Sequence, residues 1–337
     1  LERFAKSMLE ERDRFITEKH TPGPSGDLHD YHTAAPYWSE GGTFHDGIVQ
    51  ETRPDSDPSS SRFDRHCMLR LTRRCYGLAF SGRLMGRRDM LEKATDLLRA
   101  WFIVPATRMN PSCRYAQLLP HKNGPSATGI IEFREFSFLP YTLKLLTDDG
   151  ALGERDAEEI RAWLRRFLSD CEANGARARS LELRNNIGTW ADAIFSAISL
   201  ASGDFDAAFM LARWCPVRLG MQLGPLSTQT YELERTRPLH YCLFNLSAWA
   251  AMARISGEFG LSIKDFVGCQ GESLRSALGF CSDNRQRFSD YADATPSFDR
   301  WIGILEMQIN SQQQGSRIHL VETPEWGLPP IVLPVSR

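Results

Sequence analysis

The chain has 337 residues, 42% hydrophobic and 24% charged, with 40 basic against 42 acidic side chains and a net charge of -2. Such a composition builds a sizeable core, excludes a disordered chain, a collagen-like repeat or a small disulfide-stapled scaffold, and gives no steering toward nucleic acid or a membrane. One skew is hidden in the total: 34 of the 40 basic residues are Arg and only 6 are Lys, and although codon usage in a GC-rich genome is the simpler source, guanidinium suits bidentate recognition of carboxylates.

In chain order, residues 20–62 are rich in Pro, Gly, Ser, His and Asp, which predicts a long loop of the kind that carries function. His20, His29, His32 and His45 lie there among Asp27, Asp30, Tyr31, Tyr37, Trp38 and Asp46. Their spacing matches no tight zinc pattern, so no metal or cofactor is expected. The better reading is a polar, aromatic loop that stacks on a polyhydroxylated ligand, set against a loop pinned by its own aromatic rings.

From residue 86 onward the pattern is helical. Met90, Leu91, Ala94, Leu97, Leu98 and Trp101 mark one buried face. A break from Val104 to Ala127 carries Arg108, Asn110, Arg114, Tyr115, His121 and Lys122. Ile160, Trp163, Leu164, Phe167, Leu168 and Cys171 mark a helix over 154–171 with Arg and Glu opposite. Trp190, Ile194, Ala197, Ile198 and Ala201 form a face of smaller residues, and Tyr241, Phe244, Trp249, Met252 and Ile255 form a fourth. No stretch alternates with period two, which argues against a sheet.

The apolar run from Tyr241 to Ala253 is shorter than the roughly 18 residues that cross a bilayer. It contains the sequon Asn245-Leu246-Ser247, in a helical pattern that leaves it unused. The eight cysteines contain no CxxC pair and read as buried small hydrophobes, with one or two disulfides admitted. Residues 323–337, with Pro324, Pro329, Pro330 and Pro334, read as an extended strap. No linker is evident, so the expectation is one all-α domain over 1–337, with groove loops at 27–62 and 104–127.

Two clusters hold chemistry. Arg184-Asn185-Asn186-Ile187-Gly188-Thr189-Trp190 puts two carboxamides at a helix start, where N–H groups and the dipole favour an anion; plain Asn capping is the alternative. In Arg235-Thr236-Arg237-Pro238-Leu239-His240-Tyr241-Cys242-Leu243-Phe244, Pro238 fits a first helical turn and sets His240, Tyr241 and Phe244 on one face. An arginine beside a tyrosine favours phenolate and a histidine trades protons near neutrality, so the trio has the parts of an acid/base site; a core Tyr241 and Phe244 with surface arginines is the alternative.

Several strings, in order, resemble the alginate-lyase-like superfamily of polysaccharide lyases: His29-Asp30-Tyr31, Ala35-Pro36-Tyr37-Trp38, Arg99-Ala100-Trp101-Phe102, Pro105-Ala106-Thr107-Arg108-Met109-Asn110-Pro111, Tyr115-Ala116-Gln117, Gly129-Ile130-Ile131-Glu132, Asn185-Asn186 with Gly188-Thr189-Trp190, and Arg235-Thr236-Arg237 with Leu239-His240-Tyr241 and Leu243-Phe244-Asn245-Leu246. The resemblance runs from about residue 27 to about 255. It implies an (α/α) toroid of antiparallel helical hairpins and β-elimination on a uronic-acid polymer. It also implies a substrate carboxylate held by Asn185, Asn186 and Arg237, with His29, Tyr31, Tyr37, Trp38, Arg108, Arg134, Trp190 and Arg235 lining subsites. Two positions depart from the family pattern. Ile187 stands where a histidine follows the paired Asn, and Phe244 where the alginate-cleaving members have a tyrosine, which leaves Tyr241 or His240 to move protons.

The expected function is therefore a carbon-oxygen lyase for an anionic carbohydrate, secreted or periplasmic as the resemblance implies. One alternative is a lyase-fold enzyme for elimination, dehydration or cyclisation of a small carboxylate metabolite, which would place it inside the cell. The other is a carbohydrate-binding protein without catalysis.

Overall fold

A computed structural model describes residues 2–120, 125–292, 295–310, 319–320 and 331–332, and twelve α-helices dominate them. Backbone contacts gather the chain into two compact units, residues 1–179 with 197–205 and residues 180–196 with 206–337.

The first unit is built on α1 (Glu2–Glu10), α2 (Phe63–Met85), α3 (Arg88–Phe102), α4 (Leu139–Asp148) and α5 (Glu154–Ala173). Helices α3 and α5 bury the stripes read from the sequence, Met90 to Trp101 and Ile160 to Cys171. Aromatic rings knit this core: Phe102 lies 4.8 Å from Trp163 and Phe133 4.9 Å from Phe167, centroid to centroid. Helix α2 is not visible as a periodic stripe. Leu71, Cys75, Leu78 and Ala79 are buried, and so are Asp64, Thr72, Arg74 and Ser81, so the helix is enclosed on nearly all sides and no polar face marks its period. The two stretches expected as loops are tied to each other. Within them β1 (His32–Ala34) and β2 (Tyr115–Leu118) pair in parallel, His32 opposite Tyr115 and Ala34 opposite Leu118.

Helices α6 (Ala176–Leu181) and α7 (Asn186–Ser202) contribute residues to both units, so the division has no linker in sequence. The second unit adds α8 (Phe205–Gln222), α9 (Thr230–Leu233), α10 (Pro238–Gly257), α11 (Leu274–Asn284) and α12 (Thr295–Asn310). Helix α10 is its centre, with Leu239, Leu243, Leu246, Trp249, Met252 and Ile255 buried. Asn245 of the sequon is buried too, its Nδ2 donating to Gln222 Oε1 at 3.1 Å and Gln229 Oε1 at 2.9 Å, which leaves no room for a glycan. No described helix is long and apolar enough to cross a membrane. His121, Lys122 and the strap at 323–337 lie outside the described residues, except Ile331–Val332 (β4), which pairs antiparallel with His319–Leu320 (β3).

Candidate active site

In the second unit, the predicted amide pair stands where α7 begins. Asn185 caps the helix, its Oδ1 accepting the Ile187 N–H at 3.1 Å, and its carbonyl accepts from Gln222 Nε2 at 3.2 Å. Gly188 has to be glycine. A Cβ there would lie 1.9 Å from the Leu183 carbonyl oxygen and 2.5 Å from Arg218 Nη1. That crowding arises because Arg218, buried and ion-paired with Asp192, donates to the Leu183 and Leu181 carbonyls at 2.9 Å each and folds the preceding turn onto the helix.

Asn186 holds an anion, but the anion belongs to the protein. Its backbone N–H donates to Glu232 Oε1 at 2.6 Å and its Nδ2 to Glu232 Oε2 at 2.7 Å. The carboxylate cradle read from the sequence is therefore filled by Glu232, 46 residues away, so Asn186 does not stand open to a substrate carboxylate as expected. Burial pushes the Glu232 carboxyl up to about 7, outweighing the two Asn186 donors that favour its ionised form.

The start of α10 repeats the device. Pro238 occupies the first turn with Arg237 as N-cap residue, as the sequence indicated, and the buried Asp290 carboxylate accepts the Leu239 and His240 N–H groups at 3.2 and 3.0 Å. Glu232 belongs to α9, whose end leads directly into Arg235, Thr236 and Arg237, so the Asn186–Glu232 bond ties the α7 start to this arginine pair. Arg235 places its guanidinium 3.7 Å from the centroid of the Tyr241 ring, a cation–π contact. His240 meets Tyr241 edge-on at 5.1 Å and stacks with Phe244 at 6.2 Å, and Phe244 in turn packs on Trp190 at 5.4 Å.

The second unit therefore brings Asn185, Asn186, Trp190, Arg235, His240, Tyr241 and Phe244 into one continuous set. Besides Asn186, two of them take different places from those expected. Trp190 is fully buried and supports Phe244 instead of lining a subsite, and Tyr241 is only 5% exposed. His240 and Arg237 are half-buried, and no described carboxylate pairs with Arg237.

In the first unit, one of the remaining predicted residues, Tyr31, meets the buried Glu132. This buried carboxylate accepts from Tyr31 Oη at 2.9 Å, Arg65 Nε at 2.7 Å and Gln117 Nε2 at 2.6 Å. Burial raises its pKa, but the Arg65 guanidinium and the Gln117 amide outweigh that and hold it below the usual carboxylate range. Tyr31 is pushed the other way, well above an ordinary phenol, by its own burial and by Glu132. With 1% exposure it braces Glu132, and the subsite role expected for it gives way to a structural one. Gln117 adopts a left-handed φ of 49°, held there by its N–H bond to Thr33 Oγ1 at 2.9 Å and by its two amide bonds, to Glu132 and from Thr128 Oγ1 at 2.7 Å.

Arg134 is also buried, Nη1 donating to the Ile131 carbonyl at 3.3 Å, and burial lowers its pKa; it faces the interior and not a ligand. His29 Nδ1–H donates to the carbonyl of the exposed Arg108 at 2.6 Å. Asn110 Nδ2 clamps this loop through Asp27 Oδ2 at 2.9 Å and Asp30 Oδ1 at 2.8 Å, so polar bonds pin it as much as rings do. Tyr37 and Trp38 are half-buried and lean on Phe44, at 6.4 and 5.4 Å.

Sequence reasoning missed Glu232, Asp290 and Arg65 as parts of these sites. Each acts on a residue about 45 to 70 positions away, and no local pattern signals that.

The sequence profile of the alginate lyase family matches residues 15–287. The chain belongs to the alginate lyase family. Among solved structures it is similar to an alginate lyase from Bacteroides ovatus, with a TM-score of 0.81 at 23% identity over 91% of this chain and 84% of that one. It is also similar to alginate lyase A1-III from a Sphingomonas species, with a TM-score of 0.51 at 14% identity over 88% of this chain and 74% of that one. A histidine-to-alanine variant of A1-III complexed with tetrasaccharide gives a TM-score of 0.55 at 14% identity over 92% of this chain and 86% of that one. No curated protein matches. These likenesses show the fold, and with it the all-α toroid class expected from the sequence. As an alginate lyase family member the chain is a polysaccharide lyase.

Proposed function

We propose that this polysaccharide lyase cleaves a uronate-containing polysaccharide by β-elimination in the second unit, at the paired starts of α7 and α10. The reaction removes a proton α to the uronate carboxylate and forms a carbon–carbon double bond. The glycosidic bond to the β oxygen breaks, and that oxygen takes up a proton. The first step is the hard one, because the carbanion becomes accessible only when donors neutralise the carboxylate.

In this reading Arg237 and the Asn185 amino group hold the substrate carboxylate, since the Asn185 cap uses only Oδ1 and Arg237 has no described acidic partner. Asn186, locked by Glu232, positions the α7 start. His240 takes the α proton and Tyr241 serves the leaving oxygen, with the Arg235 guanidinium holding the ring of Tyr241. Phe244, sandwiched between Trp190 and His240, packs instead of reacting, and this is why the proton work moves to its neighbours.

The observation that carries the proposal is the convergence of Asn186, Arg235, His240 and Tyr241 within one set of contacts. What the neighbouring structures' names say they act on, alginate, makes polymannuronate the first substrate to try. Incubation with polymannuronate, polyguluronate and polyglucuronate, read by the ultraviolet absorbance of the unsaturated product, is the test. Arg237→Ala is expected to lower kcat/KM about 100-fold or more on whichever polymer turns over, with unchanged folding. No absorbance change on any uronate polymer would overturn the reading.

A further inference from the structure

Helix α8 is apolar on two opposite faces. Ala208, Ala212, Cys215 and Leu219 are buried, as a surface helix requires. On the outward side Met210, Trp214, Val217 and Met221 are 60, 56, 41 and 55% exposed. Their spacing of four, three and four is the seam pattern of one helix packing on another. A helix that is hydrophobic all round is normally buried. The outer side of α5 shows what this protein does with an uncovered helix: Arg155, Glu158, Glu159, Arg161 and Arg165 lace it with ion pairs. On α8 the exposed side chains between Ala207 and Gln222 include one charge, Arg213, because Arg218 turns inward onto Asp192.

Just past the helix, Leu226 is 84% exposed and sits at a φ of 59°. A leucine in the left-handed region costs about 1 kcal/mol, and no burial among the described residues repays it.

We propose that α8 is the interface of a homodimer, pairing antiparallel with α8 of a second copy. The pattern is self-complementary about a point between Trp214 and Val217. An antiparallel pair related by a two-fold axis sets Met210 on the partner's Met221 and the large Trp214 indole on the smaller Val217 of the other copy. Gly220, exposed beside the seam with open space around its Cα, lets the helices approach closely. Arg213 meets no like charge at its symmetry position, because residue 218 there faces inward. The area is sufficient. With each large side chain offering roughly 100 Å² or more, the stripe and Leu226 present roughly 500 Å² of apolar surface per copy. That is about 1,000 Å² for the pair before its polar rim is added, the lower edge of a stable interface, from a patch toward the upper end of what a typical monomer exposes.

Sedimentation velocity of the full chain at tens of micromolar should give twice the chain mass. Trp214→Arg should weaken the dimer about 100-fold or more while circular dichroism shows the same helix content, since the residue is exposed in the single chain. Orientation is read by cross-linking in a Cys269→Ser background, which removes the exposed thiol. Mixed Met210→Cys and Met221→Cys chains, oxidised with oxidised glutathione so that two thiols lose two protons and two electrons, should form a disulfide between the two variants. Met210→Cys alone should form far less. A wild-type chain that stays monomeric overturns the proposal, as does a dimer that persists in Trp214→Arg or a cross-link that forms equally well between like variants. None of these readouts depends on lyase activity.

Discussion

Replacing Glu232 by Gln removes one charge and leaves the shape of the α7 start in place. Glu232 is buried, and its carboxyl is pushed from an ordinary 4.5 to about 7. The folded chain therefore holds this proton more tightly than the unfolded chain, and the stability Glu232 contributes is complete below pH 4.5 and lost as pH rises through 7. The size of that loss is about 3 kcal/mol. Protonation also changes the hydrogen bonds: a carboxylic acid offers one O–H where the carboxylate had only acceptors, so the Asn186 amide has to turn its oxygen toward Glu232. The Glu232→Gln chain presents a neutral donor at every pH and lacks that step. Denaturant unfolding of both proteins at half-unit intervals from pH 4.5 to 8.5 is the assay. The wild type is expected to lose about 3 kcal/mol relative to the variant over that range, with most of the change complete by pH 8. The lyase pH profile should lose its limb near 7 in the variant. Two parallel stability curves would refute the reasoning, because a buried carboxylate with this environment cannot titrate without a stability slope.

Two further outcomes follow from the first unit. Arg65→Ala leaves Glu132 buried without its cation and is expected to cost about 3–5 kcal/mol in urea unfolding at pH 8. The cost should shrink toward pH 5, as the orphaned carboxyl takes a proton; an equal cost at both values would show that lost packing, not charge, is responsible. Cys113 and Cys171 lie Sγ to Sγ at 3.1 Å in the core, the contact with Cys113 and then burial raising the Cys171 thiol well above its usual pKa. Treatment with oxidised glutathione, which accepts the two electrons as the two thiols lose their protons, should join their peptides in a non-reducing map. Closing that 58-residue span is expected to stabilise the chain by about 4 kcal/mol, and an unchanged unfolding midpoint in the cross-linked protein would contradict it.

Helices α3, α5, α7 and α10 were legible in the sequence because each presents a stripe whose period survives translation into one dimension. The family was legible because its strings are local: His29-Asp30-Tyr31, Asn185-Asn186 and Arg235-Thr236-Arg237 are short runs that keep their order. The capping by Asn185 and the first-turn Pro238 belong to the same class, since helix termini are specified within a turn of themselves. Helix α2 was not legible, because a helix enclosed on all sides carries no stripe. Nor was the fate of the charges. Part of the arginine skew is internal: Arg65, Arg74 and Arg218 serve Glu132, Asp13 and Asp192. The amide pair at α7 reads in the sequence as a cradle for a substrate carboxylate, and only the tertiary structure shows that Glu232 of the same chain fills the Asn186 half of it. Hydrophobic periodicity and caps act over a few residues and so are written in sequence. Electrostatic pairing is settled by distance in space, and the chain brings those partners together only when it folds.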